Sequence, residues 1–231
     1  INLLETMPNR LFGIMTNATL VAVPLFVFMG VILEKSKVAE LLLTSMSNLF
    51  RKYKSGLGIS ILFVGTLLAA STGIVGATVI AMGLISLPAM LAKGYSEKVS
   101  TGLIAATGTL GQIIPPSIAL VILGDVLATA YQQSQLKIGN YIAKSLSVGD
   151  LFMAAIVPGL ILVFLYGLYF VFSLKKEVLT VDENQKHENF FKLISTLIPP
   201  FFLIFAVLGS IITGIASPTE AAGIGALGAI V

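Results

Sequence analysis

Long apolar runs alternate with short polar segments along this chain. Five runs carry no Asp, Glu, Lys or Arg: residues 11–33, 56–92, 99–124, 151–174 and 193–219. Each exceeds the roughly 18 residues that mark a membrane-spanning helix. Two do not read as simple spans. As one helix, residues 56–92 would extend about 55 Å at 1.5 Å per residue, against a hydrocarbon core of about 30 Å. The run is too long for one crossing and short for two. Its middle, Ala69-Ala70-Ser71-Thr72-Gly73-Ile74-Val75-Gly76, is small, hydroxylated and glycine-rich. The pattern predicts a re-entrant hairpin with a Ser-Thr-Gly tip, tolerated in a bilayer only under cover of protein or a watery cavity. The run 99–124 is interrupted by Gly108-Thr109-Leu110-Gly111-Gln112-Ile113-Ile114-Pro115-Pro116-Ser117. Two prolines remove two backbone donors, and a residue before proline avoids helical geometry. This predicts a broken helix over 99–130, its second half starting at Pro116 or Ser117. Residues 36–55 differ: Val38, Leu41, Leu42, Met46, Leu49 and Phe50 recur at helical spacing among Lys37, Glu40 and Ser47, and Arg51, Lys52 and Lys54 close the segment. That predicts an amphipathic helix lying along the interface. The joint Ser55-Gly56-Leu57-Gly58, which leads from it into the hairpin, is expected to bend.

Composition narrows the class. The 231 residues are 56% hydrophobic and only 11% charged, with a mean hydropathy of +0.99. A soluble domain carries roughly 25% charge, so the chain lacks the polar surface to live in water. That excludes an ordinary soluble enzyme, a disordered tail and a coiled coil, and leaves an all-α polytopic membrane protein. There is no Cys, hence no disulfide, thiolate zinc site or Cys nucleophile. No Ser/His/Asp or HExxH arrangement exists, and the lone His187 has no second His or Cys beside it, so enzymatic chemistry is not expected. The net charge of +3 sits in loops rather than in a nucleic-acid-binding patch. Its distribution gives orientation. If the hairpin returns to its own side, Lys35, Lys37, Arg51, Lys52, Lys54, Lys93, Lys98, Lys175, Lys176, Lys186 and Lys192 share one face, and only Arg10, Lys137 and Lys144 lie opposite. The rich face is then cytoplasmic. A complete crossing by 56–92 would split these clusters.

Three smaller features have structural readings. Gly223-Ile224-Gly225-Ala226-Leu227-Gly228 fits GxGxxG but lacks the preceding strand and following acid of a dinucleotide site, so it predicts a small-residue packing stripe. Ser217-Pro218-Thr219-Glu220 reads as a capping box with Pro at the first helical position. Asp125 is either a functional intramembrane acid or an interfacial, helix-pairing one. The chain begins at Ile1 without Met and ends within the apolar stretch 221–231, too short to cross; a fragment of a longer protein is expected.

The hairpin tip and the broken helix carry the functional signal. Helix C-terminal carbonyls and hydroxyls suit a hard cation such as Na⁺, and helix N-termini suit a carboxylate. Two such breaks near the midplane are the layout of a secondary transporter's site. A channel or a purely structural membrane subunit is the alternative, although the spans show no ring of charge or polar stripe for a pore.

Several motifs also carry a family resemblance. Ser71-Thr72-Gly73-Ile74-Val75-Gly76-Ala77-Thr78, Gly83-Leu84-Ile85-Ser86-Leu87-Pro88-Ala89-Met90 and Gly94-Tyr95 resemble the large membrane subunit of tripartite ATP-independent periplasmic (TRAP) transporters of the C4-dicarboxylate type. So do Ala105-Ala106-Thr107-Gly108-Thr109-Leu110-Gly111 with Ile114-Pro115-Pro116-Ser117, Ser147-Val148-Gly149-Asp150-Leu151-Phe152, and Ser217-Pro218-Thr219-Glu220-Ala221-Ala222. Residues 131–146 look like the longer extracytoplasmic loop of one branch. The resemblance implies an elevator-type importer in a bacterial inner membrane, using Na⁺ as coupling ion and no other cofactor. Its implied partners are a periplasmic substrate-binding protein, a small membrane subunit and an organic acid. The family architecture has two inverted repeats, each with a hairpin and a broken helix, of which one set is present. The implied division is a scaffold transmembrane helix over 1–35, an interfacial arm over 36–55 and a transport unit over 56–130. A periplasmic loop over 131–150, scaffold helices over 151–216 with a cytoplasmic loop at 175–192, and the start of a second repeat over 217–231 complete it. Within it, Ser71, Gly73, Thr107, Gly108 and Gly111 are the expected Na⁺ ligands. Ser71, Thr72, Gly73, Pro115, Pro116 and Ser117 are expected to meet the substrate.

Overall fold

The computed structural model describes residues 2–36, 38–50, 53–141, 145–174 and 190–230. Lys37, Arg51, Lys52, Lys144, Lys175, Lys176, Lys186 and His187, with most of the expected loop 175–192, lie outside the described residues. Among the described residues the chain is helical throughout, without strands.

The first expected span divides in two, α1 (Asn2–Met15) and α2 (Ala18–Lys35). Asn17 causes the division. Its backbone is extended and its Oδ1 accepts from the amides of Thr19 at 2.9 Å and Leu20 at 3.4 Å. Such a cap satisfies amides that a helix start leaves open, so a new helix begins there. Residues 11–15 therefore belong to α1, which corrects the single scaffold helix over 1–35.

The segment after α2 forms α3 (Val38–Leu49). Its inward face is Leu42, Leu43, Ser45 and Met46, whereas Leu41 and Leu49 point outward, a rotation of the face expected from the spacing. It packs on α4 (Gly56–Thr72) and on α9 (Phe190–Ile212). Gly56 and Gly58 are buried in the first turn of α4, against the Phe50 carbonyl and under the Phe170 ring, where any Cβ would collide. Their missing side chains serve close packing.

A two-residue turn joins α4 to α5 (Val75–Ala92), and the chain reverses: Met82 of α5 lies beside Gly65 of α4. The legs are about 26–27 Å long, so both ends of the run return to one side. α4 is buried almost all round, while α5 turns Ile80 and Leu84 outward. The broken helix comprises α6 (Glu97–Thr109), a 3₁₀ turn at Leu110–Gln112 and α7 (Ile118–Lys137). α7 continues past residue 130 because no Gly or Pro interrupts it until Gly139, whose φ of 81° ends it. The next helix, α8 (Val148–Ser173), starts early on a capping box between Ser147 and Asp150. The expected loop over 131–150 thus yields residues 131–137 to α7 and 148–150 to α8.

α9 passes through Pro199 and Pro200, and α10 (Pro218–Gly228) follows a turn at Gly214. Two apolar clusters hold the elements together. One gathers α3 to α6 around Ile61, Val64 and Met82 with Phe170 of α8; the other joins α2 to α10 around Ala22, Met29, Phe152 and Ala222. Gly225 lies against the Met29 and Val207 side chains and Gly228 against Leu203, so the glycine stripe packs helices. Among the described residues, α2, α5 and α8 are long and apolar enough to cross a membrane, and α4 is a shorter apolar helix. The chain is an all-α polytopic membrane protein.

Candidate site at the hairpin tip and helix break

α4 ends where Gly73 takes a left-handed conformation, φ 60°, with its amide on the Ala69 carbonyl at 3.0 Å. Only glycine adopts this without strain. Ser71 Oγ donates to the Leu68 carbonyl at 2.8 Å, and the Thr72 and Thr78 hydroxyls meet across the tip at 2.7 Å. Ile74 is extended and no side chain caps α5, which leaves the first amides of that helix to other acceptors.

The break is built from the other run. Its Pro115–Pro116 peptide bond is cis. Ser117 is extended and caps α7: its Oγ donates to the Gln112 carbonyl at 2.8 Å and accepts from the Leu120 amide at 3.3 Å. Tip and break touch directly. Gln112 Nε2 donates to the Gly73 carbonyl at 2.7 Å, Ile118 packs on Gly73, and Gly111 lies against the Ala69 backbone so closely that a Cβ would sit 2.5 Å from its carbonyl oxygen.

Ser71, Thr72, Gly73, Thr107, Gly108, Gly111, Pro115, Pro116 and Ser117 are all buried, and the fold draws them from two runs into one interface. They occupy different tiers. Gly73 and Ser117 meet around Gln112 at the tip, and Gly111 faces Ala69 a turn below. Gly108 packs on Val79 of α5, and Thr107 packs on Gly65, eight residues or about 12 Å along α4 from Gly73. The Thr107 hydroxyl donates to its own Leu103 carbonyl at 2.6 Å. Neither the tip nor the break contains an ionisable side chain, so the polar groups on offer are carbonyls, amides and hydroxyls.

Gln112 and Thr78 are functional candidates to which the sequence assigned no role. The signal for Gln112 was present: it is the one side-chain amide in the charge-free run 99–124. Asp125 resolves as a helix-pairing group, its two oxygens each accepting from Asn17 Nδ2 at 3.1 Å and so binding α7 to the start of α2. Glu220 closes the Ser217 capping box, and the Ser217 amide, then its hydroxyl, hold the exposed carboxyl below its usual range.

The whole chain, residues 1–231, matches the family model described as the DctM component of tripartite ATP-independent periplasmic transporters. The ectoine TRAP transporter large permease protein TeaC of Halomonas elongata is 32% identical over 220 residues, covering 95% of this chain and 47% of that protein. The C4-dicarboxylate TRAP transporter large permease protein DctM of Rhodobacter capsulatus is 31% identical over 224 residues, 97% of this chain and 50% of that protein. The sialic acid TRAP transporter large permease protein SiaM of Vibrio cholerae is 27% identical over 227 residues, 96% and 48%. The chain spans about half the length of these curated relatives.

Proposed function

The chain belongs to the DctM component family of tripartite ATP-independent periplasmic transporters, and from that premise we propose that it forms part of a Na⁺-coupled permease importing an organic acid. The permease resides in a bacterial inner membrane, pairs with a small membrane subunit and receives its cargo from a periplasmic binding protein. The hairpin and broken helix form one half of the transport site and move together as an elevator.

One observation carries this reading: Gln112 bonds to the Gly73 carbonyl and Ile118 seats on Gly73, so two irregular segments meet as one body. Carbonyls freed at such helix ends, with Ser71 and the Gly108–Gly111 backbone, supply oxygen ligands for a hard cation. The uncapped start of α5 and the start of α7 at Ser117 offer amides to a carboxylate. With no Lys or Arg there, the anion is met by amides, hydroxyls and bound Na⁺. That suits a carrier, because a bidentate Arg clamp would hold a carboxylate strongly and slow its release. The relatives named for C4-dicarboxylate and sialic acid transport favour a carboxylate cargo.

The test is uptake by the complete permease with its small subunit in proteoliposomes, with a C4-dicarboxylate delivered by the cognate binding protein. Uptake should require an inward Na⁺ gradient and should stop when the hairpin is cross-linked to α2. Full uptake under complete cross-linking would point instead to a fixed-site channel.

A further inference from the structure

We propose that the groove between α6 and α8 seats an anionic phospholipid of the cytoplasmic leaflet. The groove holds about 400 Å³. Lys98 and Gly102 line it from one stripe of α6, and Tyr166, Tyr169 and Ser173 from the facing stripe of α8. Its floor is apolar, with Leu103 and Phe170 almost wholly buried, while Lys98 and Tyr169 stand exposed at the rim. Gly102 faces open space, since a Cβ at that position would meet nothing within 4 Å, so a larger side chain there would enter the groove.

Lys98 lies in the first turn of α6 and Ser173 ends α8. The ammonium and a hydroxyl thus mark one end of the groove, and the apolar walls run from it into the span. A charged end above an apolar trough matches a headgroup above an acyl chain. Lys98 selects a negative headgroup, and the tyrosine and serine hydroxyls donate to phosphate oxygens. The same lysine belongs to the basic-rich face of the molecule, where the positive-inside rule places the cytoplasm. One wall of the groove is the spanning helix α8, so its occupant comes from the bilayer. Free phosphate would leave the apolar floor unfilled. On the functional reading above, α6 belongs to the moving unit and α8 to the frame, so the lipid would wedge between them; the seat itself does not depend on that reading.

The experiment measures thermal unfolding of the complete permease with its small subunit in detergent, with added phosphatidylglycerol, phosphatidylethanolamine or inorganic phosphate. Phosphatidylglycerol should raise the Tm by several degrees, and the other two should not. Lys98→Glu, which reverses the selecting charge, and Gly102→Leu, which fills the seat, should each remove that increment while leaving the lipid-free Tm near wild type. An equal rise with phosphatidylethanolamine, a rise with phosphate alone, or an undiminished phosphatidylglycerol effect in Lys98→Glu would overturn the proposal. The readout involves no transport, so it fails or succeeds separately from Na⁺-coupled import.

Discussion

Gly111 brings the break against the backbone of the tip. A Cβ there would lie 2.5 Å from the Ala69 carbonyl oxygen, so Gly111→Ala forces hairpin and broken helix apart at a cost of about 1–3 kcal/mol. Uptake by the complete permease is expected to fall at least severalfold while membrane insertion persists; unchanged uptake would show that close approach is dispensable. Gln112→Met keeps the side chain's length but loses the donor, leaving the Gly73 carbonyl short of a partner at about 1–3 kcal/mol. The Na⁺ concentration for half-maximal uptake should rise, and excess Na⁺ should restore the rate. A fall in maximal rate with unaltered Na⁺ dependence would assign Gln112 to packing alone. Glu220 gives a pH dependence. Its carboxyl is held low in the folded state, so its capping contribution is complete above the ordinary carboxylate range and fades as pH falls through the lowered value. Glu220→Gln should flatten that part of the stability profile. The Gly73 tip, the proline pair and the Ser217–Glu220 box were legible in the sequence because their steric and hydrogen-bonding demands are local. Gln112 stood out as the one side-chain amide of its run, but its partner did not, because the carbonyl it serves lies 39 positions away.

Caps set the helix boundaries more than apolar counts do. The run 11–33 looked continuous because counting hydrophobic residues ignores an Asn that can accept from the next turn. Asn17 both starts α2 and donates to Asp125 of α7, so one side chain fixes a boundary and a helix pair. Asn17→Ala is expected to cost about 0.5–2 kcal/mol from the cap alone, more with the lost Asp125 bonds. Combined with Asp125→Ala, the double mutant should lose less stability than the two single changes summed. Strict additivity in unfolding of the complete permease would show that the two side chains are not coupled. α3 makes the complementary point. Its amphipathic character was plain from spacing, but which stripe faces inward depends on where α4 and α9 press against it, a tertiary fact.

At the scale of the whole molecule, the reversal between α4 and α5 governs topology. These 231 residues contain no Cys, so single cysteines placed among them report sidedness without background from this part of the protein. Tyr53→Cys and Glu97→Cys, both exposed, should label from one face and Ile138→Cys from the other. Labelling of the first two from opposite faces would contradict the hairpin. Charge distribution made this arrangement legible from sequence. The partnership of α2 with α10 was not, for it rests on small residues far apart in the chain: Ala22 and Ala222 are fully buried in one cluster, and the Thr219 hydroxyl donates to the Ala18 carbonyl, 201 positions away. That distance is also an interval of time. At 5–20 residues per second, the ribosome delivers α10 roughly 10–40 s after α2. Throughout that wait, the part of the α2 face that α10 will cover must rest against lipid or the insertion machinery. A photo-reactive group at position 22 should therefore capture one of these in nascent chains arrested before residue 218, and lose them once α10 has entered the bilayer.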